Sequence, residues 1–194
     1  MEKPLILAFD TSGPYCSAAL LSGDAVITQT VEEMKKGQAE RLMFLLEELL
    51  QLHGLAYADL DALAVGTGPG NFTGIRIGVS AARGLALGLG IPAYGVNGFE
   101  QRAILDPSAA VHSIAAPREQ RYVRDASGAA IISGEAFESK GYPIPTDPTP
   151  DALAASVALA ARARFPNPTL APAPYYLKAP DAAPPKIAAP TILS

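Results

Sequence analysis

One thirteen-residue segment limits what this chain can fold into: Gly66-Thr67-Gly68-Pro69-Gly70-Asn71-Phe72-Thr73-Gly74-Ile75-Arg76-Ile77-Gly78. An apolar run, Leu63-Ala64-Val65, precedes it, and a long stretch rich in alanine, glycine and leucine follows. The pattern is strand, glycine turn, helix. Such a turn directs backbone N–H groups and the positive end of the helix outward, a geometry suited to phosphate. The familiar phosphate motifs fail here. GxGxxG breaks because Asn71 or Thr73 stands where its last glycine belongs, and GxxxxGK[ST] lacks its lysine. Gly68, Gly70, Thr73 and Gly74 are nevertheless the candidate phosphate-facing residues of the loop.

The flanking sequence places this turn in a larger order. Leu5-Ile6-Leu7-Ala8-Phe9 is a continuous apolar run, suited to a strand buried on both faces. Asp10-Thr11-Ser12-Gly13-Pro14 is a turn, residues 16–21 a second strand, Ser22-Gly23-Asp24 a tight hairpin and residues 25–32 a third strand. A helix over 38–52 carries Leu42, Leu45, Leu46, Leu49 and Leu50 at helical spacing. Met43 and Phe44 widen its apolar stripe, which fits either a core contact alone or an oligomer interface. Residues 61–65 form a fourth strand. The helix over 73–89 contains Gly74, Gly78, Gly84 and Gly88, each costing about 1 kcal/mol relative to alanine. Close approach of a neighbouring backbone is the natural compensation. A fifth strand spans 92–96, and a helix begins at Gly98.

The order βββαβαβα predicts a mixed five-stranded sheet covered on both faces. That is the α/β plan of the ribonuclease-H-like lobe in the actin, Hsp70 and sugar-kinase superfamily. The expected division is an N-terminal lobe over 1–98 and a smaller C-terminal lobe over 99–194 with a proline-rich tail, the end of which can pack back on the N-terminal lobe. In the second part, residues 111–115, 121–124 and 129–133 have strand character, and 151–164 form an alanine-rich helix. Twelve of the 18 prolines lie beyond residue 140. The stretch after 166 is expected to be extended and partly disordered.

Composition sets outer limits. A chain of 194 residues with 49% hydrophobic and 18% charged residues is a packed globular protein. Its net charge of −4 argues against a free-standing nucleic-acid binder. Neither a secretory signal nor an apolar run long enough to cross a bilayer is evident. A single cysteine, Cys16, fits a reducing compartment, and a cytoplasmic protein is expected.

The candidate chemistry is sparse. Only His53 and His112 occur, far apart, with no HxxxH or HExxH, so a metal centre or a Ser/His/Asp arrangement has little material. His53 is expected to cap a helix end and His112 to be structural. Cys16 is expected to be a packed strand residue. Asp10, Thr11 and Ser12 admit two readings: an aspartate organising magnesium and phosphates, or a turn cap. Arg76 opposes the dipole of its own helix, so either a specific partner holds it or it is a solvated surface arginine. No catalytic or metal-ligating residue is assigned.

The segments Ile6-Leu7-Ala8-Phe9-Asp10-Thr11-Ser12, Gly68 through Gly78, Gly95-Val96-Asn97 and Tyr175-Tyr176-Leu177-Lys178-Ala179-Pro180-Asp181-Ala182 closely resemble the TsaB (YeaZ) family. Two departures stand out: Gln38 where many members carry a histidine, and Ala115-Ala116-Pro117-Arg118 where an Asp-Ala-Arg segment is usual. The resemblance implies a non-catalytic subunit of the machinery that makes N6-threonylcarbamoyladenosine in tRNA. Such a subunit pairs with the catalytic paralogue TsaD, works with the ATPase TsaE, contacts tRNA only indirectly and forms homodimers alone. It implies a subunit interface on two helices, with Leu42, Leu45, Leu46 and Leu49 on one and Arg76, Ile77, Ser80 and Arg83 on the other. ATP or ADP with magnesium at the complex interface is the candidate cofactor. A stand-alone ATPase or small kinase of the same superfamily and a glycoprotease-type metallopeptidase are the alternatives.

Overall fold

The computed structural model describes residues 3–143, 147–167 and 170–177. Three antiparallel strands open the chain: β1 (Leu5–Asp10), β2 (Tyr15–Ser22) and β3 (Ala25–Glu33). Helix α1 (Gln38–Gln51), β4 (Ala62–Gly66), α2 (Phe72–Leu89), β5 (Ala93–Val96) and α3 (Gly98–Leu105) follow. The five strands form one sheet in the order β3-β2-β1-β4-β5, with β1 parallel to β4 and β4 parallel to β5. This is the mixed sheet expected from the sequence.

Side-chain alternation along the central strands explains the layering. Leu7 and Phe9 of β1, with Leu63 and Val65 of β4, face one core together with α1 and α2. Ile6 and Ala8, with Ala62 and Ala64, face the opposite core. The unbroken apolar runs are therefore strands buried on both faces.

The opposite core is closed by α5 (Pro150–Arg164), whose Val157, Ala158 and Ala161 pack on the small residues of the sheet. Alanine against alanine lets this helix sit close. Helix α5 packs on β1 to β5 and against α3, so it belongs structurally with the first lobe. The second sheet is small: β6 (His112–Ala116), β7 (Gln120–Asp125) and β8 (Gly128–Ser133), all antiparallel. A short helix, α4 (Gly134–Ser139), follows it. The sequence reading missed α4, which the Ser133 hydroxyl caps by accepting the Ala136 N–H at 3.2 Å. It also missed a single 3-10 turn at Tyr57–Asp59. Most of the stretch after 166, and Lys178 to Ala182 of the C-terminal motif, lie outside the described residues.

The glycines of α2 divide into two kinds. A Cβ on Gly74 would lie 1.9 Å from the Thr11 carbonyl oxygen, and one on Gly78 2.7 Å from the Thr11 hydroxyl. Here the expected close backbone approach is present. Gly84 and Gly88 have no atom within 4 Å of such a Cβ. We predict that Gly74→Ala destabilises the protein by about 2–3 kcal/mol through overpacking against fixed backbone. Gly88→Ala should instead stabilise it by about 0.5–1 kcal/mol through helix propensity. Urea unfolding midpoints of the two variants check both signs.

Candidate functional site

Because β1 and β4 run parallel side by side, the turn after β1 and the glycine loop after β4 emerge at the same end of the sheet. They lock together. The Thr11 hydroxyl donates to the Gly74 carbonyl at 2.7 Å in a buried contact. The Asn71 N–H donates to the Ser12 carbonyl at 2.6 Å. Asn71 also caps α2, its side-chain oxygen accepting the Gly74 N–H at 2.9 Å. Gly70 must lack a side chain, since a Cβ would lie 2.4 Å from the Ser12 carbonyl oxygen. Gly68 adopts φ +87, the left-handed region, and its carbonyl accepts the Gly98 N–H at 2.8 Å.

Asp10 ends β1 with its side chain fully buried. One carboxylate oxygen accepts the Ser12 N–H at 2.6 Å. The other accepts the Gln101 side-chain amide of α3 at 3.0 Å. Gly66 closes the opposite side, where a Cβ would stand 1.9 Å from that second oxygen. This geometry gives Asp10 the contacts of a turn cap. Both oxygens are engaged within the chain, as are the N–H groups of Ser12, Asn71 and Gly74. The candidate phosphate residues Asp10, Thr11, Ser12, Gly68, Gly70, Thr73 and Gly74 are thus brought together at one end of the sheet. Hydrogen bonds join Ser12 to Asp10 and Thr11 to Gly74, while Gly70 and Thr73 lie exposed. Among the described residues no three His, Cys, Asp or Glu side chains gather as metal ligands.

Gln101 and its neighbour Arg102 were not singled out from the sequence. No local pattern could reveal them, because Gln101 meets Asp10 across 91 residues of chain. The Arg102 side chain is largely buried, donates to the Gly98 carbonyl at 3.2 Å and pairs with Asp147 at 3.3 Å. Burial pushes its pKa down, while Asp147 opposes that shift. Burial, aided by the charge of Asp10, holds the Tyr15 hydroxyl well above its usual range.

The two helices proposed as an interface present a different set of residues from the expected one. Leu42, Leu45, Leu46 and Leu49 are at most 2% exposed and sit in the core beneath α1. They cannot meet a partner, which corrects that assignment. The stripe of leucines faces the sheet because the sheet is the larger apolar surface. Met43, at 39% exposure, and Phe44, at 62%, lie outside that stripe. On α2, Ile77 is half-buried, whereas Arg76, Ser80 and Arg83 are exposed, as is Leu87 at 86%.

Arg76 has partners within the chain. Its guanidinium carbon lies 3.9 Å from the Phe72 ring centroid, and its Nε donates to the Tyr176 hydroxyl at 3.2 Å. Tyr176 stacks on Phe72 with centroids 4.8 Å apart. The neighbouring Tyr175 N–H donates to the Thr67 carbonyl at 2.8 Å, and its ring meets the Phe99 ring edge-on at 6.3 Å. The C-terminal tyrosines of the motif thus seat on the glycine loop.

The remaining candidates are the two histidines and Cys16. His112 lies in β6 and His53 follows α1 on the opposite lobe, in agreement with the absence of a paired-histidine motif. No hydrogen bond from the His53 side chain to the helix end is among those described. Cys16 is buried in β2, its thiol directed at the Gln38 carbonyl at 3.8 Å. Burial, with Glu32 nearby, pushes that thiol up to about 11. At pH 8 only about a thousandth would be thiolate, against about a quarter for a free cysteine. Alkylation by iodoacetamide at pH 8 should be at least about a hundredfold slower in the native protein than in urea. Comparable rates would contradict the packed position.

A mixed five-stranded sheet with helices on both faces, a turn after β1 and a glycine loop after β4 define an actin- and ribonuclease-H-like protein. Comparison with known proteins narrows this. The family model described as "TsaD: tRNA N6-adenosine threonylcarbamoyltransferase" matches residues 26–177, and the chain belongs to that family, among its TsaB/YeaZ members. The tRNA threonylcarbamoyladenosine biosynthesis protein TsaB of Escherichia coli (strain K12) is 40% identical over 92 residues, 47% of this chain and 39% of that protein. An uncharacterized protein of Mycobacterium tuberculosis (strain ATCC 25618 / H37Rv) is 32% identical over 92% of this chain and 94% of its own length. A crystal structure from Pseudomonas aeruginosa, of an uncharacterized protein with similarity to peptidase YEAZ, aligns with a TM-score of 0.70 at 25% identity. It covers 92% of this chain and all of that one. The matches to the named TsaB proteins span less than half of those proteins' length.

Proposed function

We propose that this chain is a non-catalytic subunit in the synthesis of N6-threonylcarbamoyladenosine in tRNA. It docks on a TsaD-type paralogue through the outer face of α1 and α2 and works with a TsaE-type ATPase. The observation that carries this reading is a contrast. In the turn where related folds handle phosphate, Asp10 is tied to Ser12 and Gln101, and Thr11 to Gly74. The helical face beside it is open, with Phe44, Leu87 and Gly84 exposed. A protein that presents apolar and small residues on one helical face, without reactive groups behind it, is built to bind.

A face of this kind accepts either the paralogue or a second copy of the chain, and a homodimer forms when the paralogue is absent. Small residues such as Gly84 let helix backbones approach closely. A stable contact of this type buries about 800 Å² on each side. The acidic balance of the chain, −4 overall, leaves tRNA to the paralogue and makes this subunit's contact with it indirect. In this reading ATP or ADP with magnesium belongs to the interface of the complex. No helix among the described residues is long and apolar enough to cross a membrane, which agrees with a cytoplasmic site of action.

The test is reconstitution. The purified chain is mixed with the TsaD-type paralogue of its own host, and complex formation is followed by light scattering. Transfer to tRNA from threonylcarbamoyl-AMP is then measured with the TsaE-type ATPase present. The proposal expects a complex and restored transfer. Phe44→Glu and Leu87→Glu should each weaken the complex at least about tenfold while leaving the fold intact. Absence of both complex and transfer for the unsubstituted chain would reject the proposal.

A further inference from the structure

The outer face of α2 is not made by α2 alone. Residues 170–177 form a strap that runs beside it and contributes at both ends. At the C-terminal half of the helix, Leu170 and Pro172 join Arg83, Gly84 and Leu87 around a groove of about 590 Å³. Leu170 is 83% exposed there. The strap backbone runs past Gly95, where a Cβ would meet Pro172 Cα at 3.3 Å. At the N-terminal half, the strap ends in the Tyr176–Phe72–Arg76 stack.

Arg76 is the informative residue. A cation in the first turns of a helix meets the positive end of the dipole, so its position there needs a reason. The clamp fixes the guanidinium between an aromatic face and a hydroxyl, which removes rotamer freedom before any partner arrives. Its two Nη groups make no hydrogen bond or ion pair among the described residues. Helix α2 carries Arg76 and Arg83 and no acidic residue. A face with two exposed cations, an apolar groove and no carboxylate on its helix complements a partner surface that offers an acid and an apolar side chain.

We infer that the strap is the second half of the docking face, and that Tyr176 is a positioning residue that presents Arg76 to a carboxylate of the TsaD-type paralogue. This rests on the docking reading above. Tyr176 acts through Arg76, and Leu170 builds the wall of the groove that receives the partner's apolar side chain.

The experiment is a double-mutant cycle on the full chain. A labelled TsaD-type paralogue is titrated at about 50 and about 500 mM salt. At low salt Arg76→Ala should weaken binding about tenfold and Tyr176→Ala about fivefold. In the Arg76→Ala background, Tyr176→Ala should cost no more than about twofold further, because its effect runs through the arginine. Tyr176→Phe keeps the ring, loses the hydroxyl and should cost about twofold, which guards against a folding defect in the alanine variant. Each loss should shrink at high salt. Tyr176→Ala and Tyr176→Phe that bind as the unsubstituted chain does would overturn the inference. So would fully additive losses at Arg76 and Tyr176, or losses that ignore salt. If the unsubstituted chain fails to bind the paralogue, the docking reading falls and takes this one with it. If it binds and only the variants behave contrary to expectation, the role of the strap alone is rejected.

Discussion

The interlock between the turn after β1 and the glycine loop after β4 is the constraint on which the rest depends. Two main-chain carbonyls, at Ser12 and Gly74, are satisfied across it by Asn71 N–H and the Thr11 hydroxyl. Three glycines, at 66, 70 and 74, leave no room for a side chain against it. Buried polar groups that lose a partner cost about 1–3 kcal/mol each, so the two loops stay joined. Their union sets the start of α2, and with it which face of that helix points outward. The same union engages Asp10, which becomes a fastener between β1, the turn and α3.

Much of this fold was legible from residue patterns. The run at 5–9 announced a strand with two buried faces, and the two cores on either side of the sheet bear that out. The leucine period of α1 correctly located a buried stripe, but burial in the chain's own core and burial in an interface leave the same mark on a sequence. Periodicity identifies the apolar face and not what covers it. Only the widening of that stripe by Met43 and Phe44 pointed outward. The roles of Gln101, Arg102 and Tyr176 were not legible, because each depends on a contact made across a long stretch of chain. For Tyr176 that separation is 100 residues, though the dipole-opposed position of Arg76 did signal that some partner existed.

Glycine gave a divided message for a physical reason. A helical glycine is costly wherever it stands, and the sequence could say only that some compensation was needed. Gly74 and Gly78 are compensated inside the chain by Thr11. Gly84 is not, and it lies on the outer face beside Leu87 and Arg83. Membership of the TsaB/YeaZ group accords with a helix that keeps one small-residue stretch for itself and shows another to the outside.

The central proposal is that this fold ties Asp10 into its own turn and works through a binding face on α2. Titration of the isolated chain with magnesium ATP, followed by calorimetry, addresses that claim most directly. The account predicts no heat of binding up to about millimolar nucleotide, the concentration range in which affinity falls below about −4 kcal/mol in strength. Saturable binding in the micromolar range that is abolished by Asp10→Asn would contradict it.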